Sequence, residues 1–169
     1  MKLFDTLGNE LPLPKPDGPL EHIAEIGGQF DECSFCIEFH HKALDRHAIS
    51  STLACQPTKA WNAGEPHPIG NGRSGKLREV DYGRWYLKVE VPADGNIGDE
   101  IKRFLSDNSA PATDWQKLAL AWSGRIALVG HANNWNREFN LSSEVVAMLA
   151  ERGLALNIDA YFDGKSNEA

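Results

Sequence analysis

Cys33-Ser-Phe-Cys-Ile-Glu-Phe-His40 alternates without a break, Cys33, Phe35, Ile37 and Phe39 against Ser34, Cys36, Glu38 and His40. Successive strand residues point to opposite faces, so this pattern predicts a strand with one face in a core. Just beyond it, Asp45 is a good helix N-cap, and Leu44 and Ile49 stand at the N′ and N4 positions of a hydrophobic staple. Pro57 ends that helix. On the other side, residues 1–29 carry Pro12, Pro14, Pro16, Pro19 and Gly27-Gly28, which predicts an extended arm with no regular structure beyond a short turn at 21–26.

The pattern recurs downstream. Residues 84–91 place Trp85, Leu87, Val89 and Val91 on one side of a second strand, and Ile97, Ile101, Phe104 and Leu105 follow at helical spacing. After Pro111, Thr113-Asp-Trp-Gln116 has the form of a capping box, opening a helix that buries Trp115, Leu118, Ala119 and Trp122. A third strand at 126–132 leads to a helix capped by Ser142, with Leu141 and Val146 at staple spacing and Gly153 at its end. A last strand alternates over 154–162, and residues 163–169 form a flexible tail. The stretches 33–53 and 126–149 share the order strand, polar loop, Leu, cap and apolar residue, as a degenerate duplication would. The expectation is a single α+β domain over 30–162. Its architecture is a ferredoxin-like sandwich, two strand-helix-strand halves with extra helices between them, its first and third strands a parallel central pair.

The residues from about 33 to 161 resemble the bacterial domain of unknown function 4279 family. The likeness rests on the strand Cys33-Ser-Phe-Cys-Ile-Glu-Phe39, Leu44-Asp45 leading into a helix, and Gln56-Pro-Thr58 closing it. It continues through the Gly-rich loop with Gly75, the strand start Gly83-Arg-Trp85 and the ending Leu156-Asn-Ile-Asp-Ala-Tyr161. The resemblance implies a small bacterial α+β domain and no catalytic residue.

A net charge of −7 argues against a nucleic-acid partner, because that affinity comes largely from phosphates neutralised by lysine and arginine. RNA binding on an exposed sheet would need paired stacking aromatics and a basic excess. No apolar run is long enough to span a bilayer, and the first ten residues lack a signal-peptide pattern, so the expected setting is cytoplasmic, as monomer or homodimer. Three cysteines, an odd number in a chain large enough to fold unaided, are read as reduced thiols.

The long Gly- and Pro-rich stretch 56–81, without helical or strand periodicity, is where a binding function is first sought. Within it, Gly70-Asn-Gly-Arg-Ser-Gly-Lys76 imitates a phosphate loop. Leu77 stands where Ser or Thr should hold magnesium, and no strand-to-helix context surrounds the glycines, so a nucleotide cofactor is not expected. Cys33 and Cys36 are three apart on a strand and face opposite ways, which does not make half a zinc site.

The best site guess lies at the strand ends, where parallel central strands would bring His40 or His41 close to His131 and Asn133, with Asp45 as a further potential metal ligand. Trp61 and Trp135, read as loop aromatics, and Arg73 and Lys76 of the Gly-rich loop complete the candidate contact surface. The leading functional reading is a non-catalytic binding protein contacting a protein partner, extended to an immunity-like or accessory factor in bacterial competition. The alternative is a small-molecule or metal-dependent enzyme with a histidine-lined crevice. Neither reading assigns a catalytic residue, metal site or cofactor. Trp85→Ala is expected to cost about 3–5 kcal/mol in urea unfolding, whereas Trp135→Ala should be mild.

Overall fold

The computed structural model describes residues 3–4, 10–11, 29–68, 77–132 and 137–162. Five strands form the main sheet: β3 (Glu32–His41), β4 (Lys59–Trp61), β7 (Gly83–Glu90), β8 (Arg125–Ala132) and β9 (Ala155–Phe162). Their order is β4-β7-β3-β8-β9. Two short ladders lie outside it, β1 (Leu3–Phe4) with β2 (Glu10–Leu11), and β5 (His67–Pro68) with β6 (Leu77–Arg78). The segment expected to be an arm without regular strands therefore holds one ladder. The stretch expected to be a loop holds β4 and a second ladder, and the turn expected at 21–26 lies outside the described residues.

β3 runs antiparallel to both neighbours, pairing Phe39 with Trp85 of β7 and Ile37 with Ile126 of β8, and only β8 and β9 are parallel. The expected parallel pairing of the first and third strands is thus overturned. The two halves also differ: β7 returns beside β3 as its antiparallel neighbour, whereas β9 returns beside β8 in parallel. With β4 included, β7 lies between β3 and β4, and β3 between β7 and β8, so each of these strand-helix-strand units is split by an intervening strand, β9 adding a parallel fifth strand beside β8; the protein is an α+β fold with a mixed five-stranded sheet. Alternation along a strand reports its faces; it carries no information on the direction of its neighbours.

Among the described residues four helices, α1 (Arg46–Leu53), α2 (Ile97–Asp107), α3 (Ala112–Trp122) and α4 (Ser143–Glu151), supply the second layer. Phe35, Ile37 and Phe39 of β3, with Trp85, Ile126 and Leu128, meet Ile49 and Leu53 of α1, Ile101 and Leu105 of α2, Trp115 of α3, and Val145 and Leu149 of α4. Burying each such aliphatic or aromatic side chain contributes about 1.5–3 kcal/mol. The indoles within this core keep their polar atoms satisfied: Trp85 Nε1 donates to Ser50 Oγ at 3.0 Å and Trp115 Nε1 to Asn108 Oδ1 at 3.2 Å. Asn108 also donates to the Leu53 carbonyl at 2.8 Å and accepts from Ala110 N–H at 3.1 Å, tying the ends of α1 and α2 to the start of α3. At the sheet's other end, the Phe30 and Phe139 rings stack 4.3 Å apart, and a Cβ on Gly130 would come within 2.7 Å of both.

The helix signals hold in part. Asp45 Oδ1 accepts from His47 and Ala48 N–H at 2.9 and 3.0 Å, with Leu44 and Ile49 both buried. Ser142 Oγ caps α4 through Val145 N–H, yet Val146 is half exposed and its neighbour Val145 enters the core, so the second staple does not form as expected. In α3 the capping box is absent. Pro111, at φ −65°, starts the helix two residues earlier, with Thr113 inside the first turn and exposed. Equilibrium denaturation should therefore separate two substitutions: Asp45→Ala is expected to cost about 1 kcal/mol, and Thr113→Ala to change stability by less than about 0.5 kcal/mol.

Candidate functional site

The helices pack on the face of β3 that carries Phe35, Ile37 and Phe39; no described helix covers the opposite face. That second face presents Ser34, Cys36, Glu38 and His40 from β3 and, by register, Arg84, Tyr86 and Lys88 from β7, Arg125, Ala127, Val129 and His131 from β8, and Lys59 and Trp61 from β4. At its centre Glu38 has a side chain only 5% exposed. Arg84 Nη2 donates to its Oε1, and Arg125 Nε donates to its Oε2 at 2.8 Å. The two guanidinium side chains are about one-third exposed, 33% and 34%, so they rise from the buried carboxylate towards the surface.

Arg84 is further fixed by aromatic rings. Its guanidinium carbon lies 4.9 Å from the Tyr86 ring centroid and 5.9 Å from that of Trp61, both within range of a cation–π attraction. Cys36 Sγ donates to Tyr86 Oη at 3.1 Å. Burial pushes the Tyr86 phenol far above its ordinary range, and the hydrogen bond with Cys36 adds to the shift. Towards the opposite end of the sheet His131 stacks on Tyr161 at 4.9 Å, with the rings 14° from parallel.

The expected histidine crevice does not form. His40 pairs across from Arg84, whereas His131 pairs with Glu32, eight residues back along β3 and roughly 27 Å away at an extended strand's rise. His41 Nδ1 accepts from Ala43 N–H at 3.1 Å in the turn after β3, and Asp45 is engaged as the cap of α1. His40 stays on the polar face. Burial, and then the Arg125 guanidinium, hold its imidazole below its usual value while Glu38 pulls the other way, and its Nδ1 is buried without a hydrogen-bond partner.

Trp61, expected in a loop, lies on β4 opposite Arg84. Arg73, Lys76, Asn133 and Trp135 lie outside the described residues. Of the expected site residues, the structure thus brings His40 and Trp61 onto one face around Arg84. Glu38, Arg84, Tyr86 and Arg125 complete that cluster and were not singled out from the sequence. Glu38, Arg84 and Tyr86 stand in the polar phases of two alternating segments and Arg125 just before the third expected strand, but strand order and register were needed to join them.

Among the described residues no three of His, Cys, Asp or Glu come together as a metal cage. Two surface grooves near 230 Å³, one beside α2 and one beside α1, are smaller than the ~300–1,000 Å³ typical of ligand pockets. Cys33, Cys36 and Cys55 are free thiols. Burial raises the pKa of each; at Cys36 the Tyr86 hydrogen bond and the nearby Lys88 and Arg84 offset only part of the rise. A raised thiol pKa lowers the thiolate fraction at neutral pH, which is the reverse of nucleophile activation. All three should therefore react with an aromatic disulfide at pH 8 more slowly than free cysteine, and reach its rate once the protein is unfolded in urea.

No curated protein and no solved structure matches the chain. A family model, described as "Domain of unknown function (DUF4279)", matches residues 29–163. That span takes in the whole five-stranded sheet, all four helices and the Glu38 cluster. The resemblance carried by the Cys33–Phe39 strand, the Asp45-capped helix and the Leu156–Tyr161 ending is thereby established, and the chain belongs to the DUF4279 family.

Proposed function

We propose that this protein is a non-catalytic binding module that docks a protein partner on the face of its sheet that no described helix covers. The observation that carries the reading is the arrangement of Trp61, Arg84 and Tyr86, with the guanidinium set over both rings, beside Arg125. Trp, Tyr and Arg are the residue types that dominate binding hot spots, and side chains already held in place lose less entropy when a partner arrives. Reduced thiols at Cys33, Cys36 and Cys55 suit a cytoplasmic setting. An immunity-like or accessory role, in which the module masks a partner's surface, is the form of this function we favour. The histidine-crevice enzyme has lost its geometric support, since His40 and His131 lie far apart along the sheet.

Native mass spectrometry of the protein captured gently from its own host, before and after chelation, tests the reading. A stoichiometric protein partner is expected, with Trp61→Ala weakening its affinity by about 30-fold or more, as truncating a hot spot does. A bound metal or small molecule with no protein partner would overturn the proposal in favour of the enzyme.

A further inference from the structure

We propose that Arg84 and Arg125, held in place by Glu38, form a receptor for a single carboxylate presented by the docked partner. This rests on the binding-module reading and names the chemistry of its central contact.

Charge favours such a receptor. Two guanidinium groups converge on one carboxylate, which leaves one positive charge uncompensated on a protein whose net charge is −7. The other groups of this face do not cancel that excess. Lys88 is paired with Glu90 on the same strand, and Lys59, on β4, adds a further cation beside Tyr86. His40, next to Arg84 by register, is kept towards its neutral form by burial and the Arg125 field. Asp159, paired with Val129, is the nearest acid on the β9 side, four residues along β8 from Arg125.

Hydrogen-bonding capacity favours it as well. A guanidinium carries five N–H donors. Glu38 engages Arg84 through Nη2, and Arg125 through Nε and Nη2, so donors remain on both side chains where they rise to the surface. Glu38 sits beneath them as a floor and cannot rotate away without burying an unpaired charge. Both arginines are therefore pre-set, and Arg84 is further restrained by the rings of Trp61 and Tyr86. A planar carboxylate is the fork-shaped acceptor that guanidinium donors match, and its single charge equals the one left on the two arginines over Glu38.

The test uses the full-length protein, isotope-labelled and followed by NMR at the arginine Nε–H and His40 imidazole signals. It is titrated with acetyl-Ala-Glu-Ala-amide, with the corresponding Gln peptide, and with inorganic phosphate. The Glu peptide should shift both arginines, raise the His40 titration midpoint by offsetting the arginine field, and bind at least about tenfold more tightly than the Gln peptide. Arg84→Lys and Arg125→Lys, which keep the charge over Glu38 and hence the fold, should each reduce that preference about tenfold. Equal binding of the two peptides, tighter binding of phosphate, or Lys variants that bind like the parent would each overturn the carboxylate site. The host capture separates the two readings. A partner retained equally by the parent and both Lys variants would sink the carboxylate receptor and leave the binding module standing, whereas peptide binding with no captured partner would do the opposite.

Discussion

Strand β3 has to be buried on two chemically different faces at once. Phe35, Ile37 and Phe39 need the helices, while Glu38 on the other side needs cations, and the strand's central position leaves it neither water nor an edge. Antiparallel neighbours on both sides meet both demands, because each pairs an apolar residue with the core face and each contributes one arginine to the polar face. A one-residue slip in either pairing would turn every side chain of the slipped strand over. It would put an arginine among the helices and leave Glu38 half compensated, so register is enforced by packing and by charge independently. A buried ion cluster of this kind adds little net stability over well-packed apolar groups, yet losing one partner is costly. Its contribution is to make alternative registers expensive.

The helical layer depends on the sheet but is joined by fewer pieces. Asn108 bonds to the end of α1, the start of α3 and the Trp115 indole, and Arg152 reaches back from the end of α4 to the Leu105 carbonyl at the end of α2. Polar side chains at helix ends thus satisfy carbonyls that would otherwise be orphaned, and they do so between helices. The Phe39, Trp85 and Trp115 rings meet at edge or tilted angles beneath these junctions, which fills the space between sheet and helices.

Local chemistry was legible in the sequence. The alternations located β3, β7 and β9 to within a residue or two, and Asp45 and Ser142 announced their helices, because each signal is carried within a few consecutive positions. The α3 start differs from the expected one because Thr113 and Gln116 fit a capping box while Pro111 supplies the required backbone angle two residues earlier. Strand direction was not written in any one segment, and the histidine crevice depended on it. With β3 and β8 antiparallel, His40 is carried to one end of the sheet and His131 towards the other. The Glu38 cluster was hidden for the same reason: it spans three strands, and only their order makes Arg84 and Arg125 neighbours of one carboxylate.

β9 ends the described sheet, and all eight of its residues are exposed, Leu156, Ile158, Tyr161 and Phe162 among them, with Asp159 its only charge. Such an edge is a template for pairing with other chains unless something holds them off. One local acid is a thin barrier, so much of the protection falls to the chain's overall negative charge, which keeps molecules apart before their edges meet. That protection is a property of the solvent as much as of the fold. It vanishes as the pH approaches the isoelectric point near 5.3 and is screened by salt, and there the colloidal behaviour of the protein passes from control by charge to control by the strand that ends the described sheet.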